Sequence, residues 1–292
     1  MLPNVICLGV MFLTVTTIGT TANFFLFTFY MSNVIAGHKI SFLTLHFIQL
    51  TLVNSTMLVS KGVPQTLYSL GWNNFLDDVG CKVVFYIRRV SVGLSISLTC
   101  LLSTFQAITI SPNNSRWVEF KIRTMQYTKL SCLFCWIFNL LIEIPIPVSA
   151  RGPRISNFTS AFDNMFCTSE HIMAFYLIII TSRNVLCLGL MVLTSCYMVF
   201  ILYKHYRQVQ YICNTKFSTI KNLEIRAART ILLLMSIFVS FYSLNLILTL
   251  FLSYFDQKSP WMLSTNIFLS QCYPTISPFL LIPRFHRPTR NF

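Results

Sequence analysis

Four ionisable residues stand inside long apolar stretches of the chain: Arg88, Arg89, Glu143 and Arg183. Charges in such surroundings are costly, so each is expected either to serve a site or to be held by a partner. Together with Asn184, they could form the polar floor or wall of a small-molecule pocket. The structural alternative is that Glu143 pairs with Arg89 or Arg183, or that the arginines snorkel to an outer interface. No phosphate-cradling glycine loop, metal-spaced His/Glu set or nucleophile beside a base occurs. No enzyme, metal or cofactor is therefore expected. The Cys132-x-x-Cys135 pair lacks a second ligand pair and opens an apolar run, which reads as packing. His46 and His171 have no metal-binding pattern and read as ordinary polar residues.

The elements that must hold these groups are membrane helices. Of 292 residues, 54% are hydrophobic and only 10% charged, against about 25% charged in a soluble domain. Apolar runs long enough to cross a bilayer recur along the whole chain. The pattern predicts seven spans: Val5 to Tyr30, Ile40 to Ser60, Val83 to Ile110, Leu130 to Val148, Ile172 to Tyr203, Thr230 to Phe255 and Trp261 to Ile282. The third is the organising one, with Arg88 and Arg89 near its start and no charge from Val90 to Ser115. Pro112 and its two following Asn residues are expected to stop it. Pro274 and Pro278 fall in the seventh, where neighbouring polar groups must satisfy the freed backbone. The start of the chain lacks a positive n-region, so no separate signal peptide is expected. The loops are short, and the chain reads as one membrane domain over residues 1–292.

Charge gives the direction. The net charge of +14 could suit nucleic acid, but the basic residues lie in short gaps between apolar runs, which excludes that reading in favour of cytoplasmic loops. With the N-terminus outside, the inner gaps hold Lys39, Arg116, Lys121, Arg123, Lys129, Lys204, Arg207, Lys216, Lys221, Arg226, Arg229 and three C-terminal arginines, against Glu119 and Glu224. The outer gaps hold Lys61, Lys82, Arg151, Arg154 and Lys258, balanced by five acids. The N-terminus is therefore predicted outside and the C-terminus in the cytoplasm.

That orientation sorts the ten cysteines and three Asn-x-Ser/Thr matches. Only Cys81 and Cys167 fall in outer segments, where a bridge would tie the second outer loop to the top of span three; the alternative is two unpaired thiols. Asn54 lies in a span and Asn113 on the inner side, which leaves Asn157 as the one plausible glycosylation acceptor.

Seven spans with an outer N-terminus describe the architecture of G protein-coupled receptors, yet the rhodopsin-like marks are absent. Span three ends in Phe105-Gln106-Ala107-Ile108 and not in an Asp-Arg-Tyr triplet, and span seven reads Pro274-Thr275-Ile276-Ser277-Pro278-Phe279 with no Asn-Pro-x-x-Tyr. The strings GTTANFFLF (19–27), SKGVPQT (60–66), NFLDDVGCKVVFY (74–86), TCLLSTFQAITISPNNSRW (99–117), NVLCLGLM (184–191), Glu224-x-Arg226-Ala227 before ILLLMSIFVSFYSL (231–244), and PTISPF (274–279) carry a different resemblance. The chain closely resembles the vomeronasal type-1 receptors over about residues 19–282. The resemblance implies a pheromone-type chemoreceptor of the plasma membrane, coupled to a heterotrimeric G protein of the inhibitory class. It also implies the Cys81–Cys167 bridge, the Asn157 glycan and a pocket among spans three, five, six and seven near the outer face. Arg88, Val92 and Asn184 depart from the family's usual His, Arg and Asp, which alters the electrostatics of pocket or core.

The expected function is thus a ligand-biased switch between two helix packings. Arg88, Arg89, Glu143, Arg183 and Asn184 are the candidate ligand contacts. Arg116, Lys121, Arg123, Lys204, Arg207, Arg226 and Arg229 are the candidate surface for the G protein. The ligand is expected to be an apolar or weakly polar small molecule. A bitter-taste-type receptor shares the short termini and the missing triplet, but TISPNNSRW and PTISPF favour the vomeronasal reading. A small transporter or channel would call for internal repeats and broken helices in matching halves, and seven spans do not divide that way.

Overall fold

A computed structural model describes residues 3–37, 41–72, 76–111, 115–151, 168–169, 174–211, 219–254 and 260–281. Among them are α1 (Pro3–Ile35), α2 (Phe42–Ser69), α3 (Asp78–Ile110), α4 (Ser115–Ile142), the short α5 (Pro145–Ser149), α6 (Ala174–Tyr211), α7 (Thr219–Tyr254) and α8 (Pro260–Leu281). Two short antiparallel strands, β1 (Ala150–Arg151) and β2 (Thr168–Ser169), pair Ala150 with Ser169 and Arg151 with Thr168. The fold is an all-α bundle.

Six of these helices are long and apolar enough to cross a membrane, in α1, α2, α3, α4, α6 and α7. The eighth helix falls where the seventh span is expected and has 22 residues, about 33 Å, but Ser264, Asn266, Ser270, Gln271, Thr275 and Ser277 dilute its apolar character. Most helices outrun their apolar runs. The second continues nine residues beyond the predicted end at Ser60, the fourth begins at Ser115 and not at Leu130, and the sixth and seventh carry Lys204, Arg207, Arg226 and Arg229 on helical backbone. Lipid requires apolar side chains only across its hydrocarbon, whereas backbone hydrogen bonding propagates until a breaker ends it. At the other end of the fourth span, Pro145 stops α4, and Glu143 and Ile144 form a turn before α5.

The third helix is the axis of the bundle. In its most apolar window 72% of residues are buried, against 11% for α6, which turns Leu186, Leu193 and Phe200 outward as a lipid-type surface. Asp77 caps it, its Oδ1 accepting from the Gly80 amide at 2.7 Å, and it stops at Ile110 just before the predicted breaker. The main core joins Leu26, Leu50, Ile96, Leu102, Met191, Met235, Phe238 and Tyr273 across α1, α2, α3, α6, α7 and α8.

Small residues and one amide let α1, α2 and α8 close on each other. A Cβ on Gly62 would lie 1.8 Å from Thr16 Oγ1, and one on Gly19 would meet Leu58 at 2.7 Å and the Thr275 backbone at 3.2 Å. Pro278 has no N–H to offer the carbonyl one turn back, that of Pro274. Asn23 supplies the missing donor from α1: its Nδ2 donates to Pro274 O at 2.8 Å and to Gly19 O at 2.8 Å. Asn54 of α2 adds a bond to Ser277 Oγ at 2.9 Å. Replacing Asn23 with Leu leaves the buried Pro274 carbonyl with only the long 3.4 Å bond from the Ser277 hydroxyl. The expected loss is about 1–3 kcal/mol of stability, measured by denaturant titration of purified protein; an unchanged midpoint would contradict this role.

Candidate functional site

The residues singled out from sequence fall into two groups. One is a closed ionic knot. Glu143 is fully buried in the turn after α4, and Arg183 of α6 reaches it with Nη1 at 3.2 Å from Oε1. The same Nη1 donates to Asn139 Oδ1 at 2.9 Å, while Arg183 Nε donates to Asn184 Oδ1 at 3.2 Å. Tyr176 donates its hydroxyl to the second Glu143 oxygen. Asn139 Nδ2 in turn donates to Ser97 Oγ of α3 at 3.2 Å and to Cys135 O at 2.8 Å. Of the two pairings left open by the sequence, the carboxylate takes Arg183. Both side chains are below a tenth exposed, and every charge-bearing atom of the carboxylate has a partner.

Gly93 is what admits this knot against α3. A Cβ there would lie 2.3 Å from Asn139 Oδ1 and 2.7 Å from Arg183 Nη1. Sequence reading did not single out Gly93 or Asn139. A glycine in the middle of a bilayer-length helix, where it weakens the helix, was the available signal.

The second group lines a cleft. Between α2, α3, α7 and α8 lies about 390 Å³ of unfilled space, part of it open to solvent, walled by Met57, Val92, Ile96, Phe238, Tyr242 and Tyr273. Phe238 stacks on Tyr242 with centroids 5.6 Å apart and meets Tyr273 edge-on at 4.5 Å. Its polar wall includes Lys61, Ser95, Asn245 and Ser270. Lys61 corrects the sequence reading, which placed it in an outer gap: it sits within α2, only 6% exposed. Counting apolar residues ends a span at the first charge, but here the helix carries the charge inward.

Arg88 and Arg89 are both half-buried near the start of α3, with the Arg88 guanidinium 5.9 Å from the Phe85 ring centroid. Val92 is one turn below both, and Ser95 and Ile96 a turn further, so the arginines stand above the cleft's α3 wall. Glu143, Arg183 and Asn184 are not among the cleft's lining residues.

The opposite end gathers the basic residues. Lys121 of α4 donates to the carbonyl of Ser111 at 2.6 Å, and the Ser111 hydroxyl lies 2.9 Å from Tyr197 Oη of α6. This brings the end of α3, the first turns of α4 and the distal part of α6 together. Arg123 is exposed and paired with Glu119 at 2.8 Å; Lys204, Arg207 and Arg229 are exposed, with Arg207 over the Tyr203 ring at 5.8 Å. Arg116 and Arg226 lie on α4 and α7.

Cys81 is fully buried and disulfide-bonded. Cys167 and Asn157 lie outside the described residues, as does His171. Cys132 and Cys135 are free thiols, with Cys132 Sγ 3.6 Å from Nε2 of the buried His46. No group of metal-ligating side chains occurs among the described residues.

A family model described as the vomeronasal organ pheromone receptor family matches residues 6–290. The chain belongs to that family. It is 37% identical to human vomeronasal type-1 receptor 1 over 278 residues, covering 94% of this chain and 79% of that protein. It is 36% identical to human vomeronasal type-1 receptor 3, covering 97% and 92% of the two chains. It is also 31% identical to the zebrafish (Danio rerio) olfactory receptor class A-like protein 1, covering 94% and 88%. With six apolar helices in the bundle, this is a multi-pass plasma-membrane protein of the sensory chemoreceptor kind, from a receptor family and not an enzymatic one.

The knot's dependence on Gly93 is testable against a neutral glycine. Gly93→Ala should lower stability by about 1–3 kcal/mol through overpacking, whereas Gly189→Ala, with nothing within 4 Å of the added Cβ, should be neutral or slightly stabilising. Thermal melts of the two purified variants make the comparison; equal midpoints would remove Gly93 from the account.

Proposed function

We propose that the chain is a seven-span, G protein-coupled chemoreceptor with its N-terminus outside. In this reading α8 is the seventh span, its polar residues facing the bundle. A small molecule enters from outside, occupies the cleft between α2, α3, α7 and α8 beneath Arg88 and Arg89, and favours one of two helix packings. The observation that carries the reading is the cleft itself. It has aromatic walls and a few convergent polar groups, as small-molecule sites do, and opens beside the central helix.

Within this proposal Glu143, Arg183 and Asn184 hold α4 and α6 against α3 and so shape the site from behind, while Arg88 and Arg89 stand at its rim. A bridge from Cys81 to Cys167 would anchor the second outer loop over the mouth. The neighbouring hairpin supports it, since β2 starts at Thr168, directly after Cys167, and its partner β1 packs on α3. A glycan on Asn157 would sit on the same loop. The cationic face of Arg116, Lys121, Arg123, Lys204, Arg207, Arg226 and Arg229 would receive a heterotrimeric G protein of the inhibitory class. The exposure of Arg123, Lys204, Arg207 and Arg229, and the sign of the face, complementary to an acidic partner surface, support that assignment.

The test is guanine-nucleotide exchange on a reconstituted inhibitory heterotrimer, driven by a panel of volatile and steroid-like compounds. An active compound should need about tenfold higher concentration with Tyr242→Ala, which removes one aromatic wall. Exchange that no compound alters on correctly surfaced receptor, or an unchanged response in the variant, would count against the reading.

A further inference from the structure

We propose that the cleft selects small organic anions, a carboxylate or sulfate on an apolar ring or chain, with the Lys61 ammonium as the counter-ion. This rests on the cleft being the ligand site and adds the charge of the ligand to that reading. Lys61 is more than nine-tenths buried and lines the cleft, with no hydrogen bond or ion pair to it among the described residues. Charging a buried amine without a partner is costly, and an arriving anion offsets part of that cost.

Among the described residues no Asp or Glu lines the cleft, and Glu143 is taken up by Arg183 and Tyr176. The nearest charges on α3 are instead cationic, because Arg88 and Arg89 stand one turn above Val92 on the cleft's α3 wall. Lys61, the two arginines above the cleft and the aromatic walls suit an anionic head with an apolar body. They do not suit an amine, which would meet like charge.

The experiment measures binding to purified receptor in neutral-lipid nanodiscs by isothermal titration, a readout that needs no G protein. Probes are matched pairs: octanoate with octan-1-ol, cyclohexanecarboxylate with cyclohexylmethanol, and hexyl sulfate with hexan-1-ol. At least one acid should bind about tenfold more tightly than its alcohol. Lys61→Met should abolish that preference while Lys61→Arg retains it, and the alcohol's affinity in Lys61→Met reports that the cleft is still folded. Equal affinity for acid and alcohol, binding of no acid, or a preference that survives Lys61→Met would overturn the proposal. So would a preference seen only for phosphatidylserine added to the nanodisc, which would make the occupant a lipid headgroup. Acid binding without nucleotide exchange would leave the anion site standing and locate the failure in the G protein reading.

Discussion

The bundle depends on one buried ion pair. Taking the Glu143 carboxylate and the Arg183 guanidinium out of water is costly, and only close geometry with further hydrogen bonds to both groups offsets that cost. The knot meets this condition. The carboxylate has Arg183 on one oxygen and Tyr176 on the other, and Asn139 links the guanidinium to Ser97. Its members come from α3, α4, the turn after α4, and α6, so they fix three layers of the bundle in one register. The turn exists because Pro145 ends α4, and the close approach exists because Gly93 has no side chain.

The opposite side of α3 is organised by backbone needs and not by charge. Proline in α8 frees carbonyls, Asn23 of α1 satisfies one of them, and Gly19 and Gly62 let α1, α2 and α8 approach closely enough for that to happen. Between this seam and the ionic knot lies the cleft, with α3 as its common wall. Fixed walls on either side leave the aromatic cluster of Phe238, Tyr242 and Tyr273 as the surface a ligand would meet. A site framed by two rigid seams can report its occupancy through relative helix position, because packed interfaces shift between discrete arrangements.

Much of this was legible in residue order. Long apolar runs located the helices, and the four intramembrane charges led to the knot, since a buried carboxylate needs a cation. Which arginine it takes was not legible, because Arg89 and Arg183 are both within reach by span position and only packing chooses. Lys61 was misplaced for a related reason: an apolar count cannot distinguish a charge that ends a helix from one that a helix carries into the bundle. The knot's Asn139 and Gly93 also left little trace, being single residues in helices whose pattern is otherwise apolar. The predicted bridge partner Cys167 and the acceptor Asn157 lie outside the described residues, and Cys81 alone shows its disulfide.

The central claim is that Glu143 and Arg183 act as one unit that holds α4 and α6 on α3. A double-mutant cycle on thermodynamic stability tests it most directly, using Glu143→Gln, Arg183→Met and the two combined. Each single change should cost about 3–5 kcal/mol by leaving a buried charge uncompensated, and the combined variant should recover most of that loss. If the combined variant loses the sum of the two, the groups act independently and the knot does not organise the bundle.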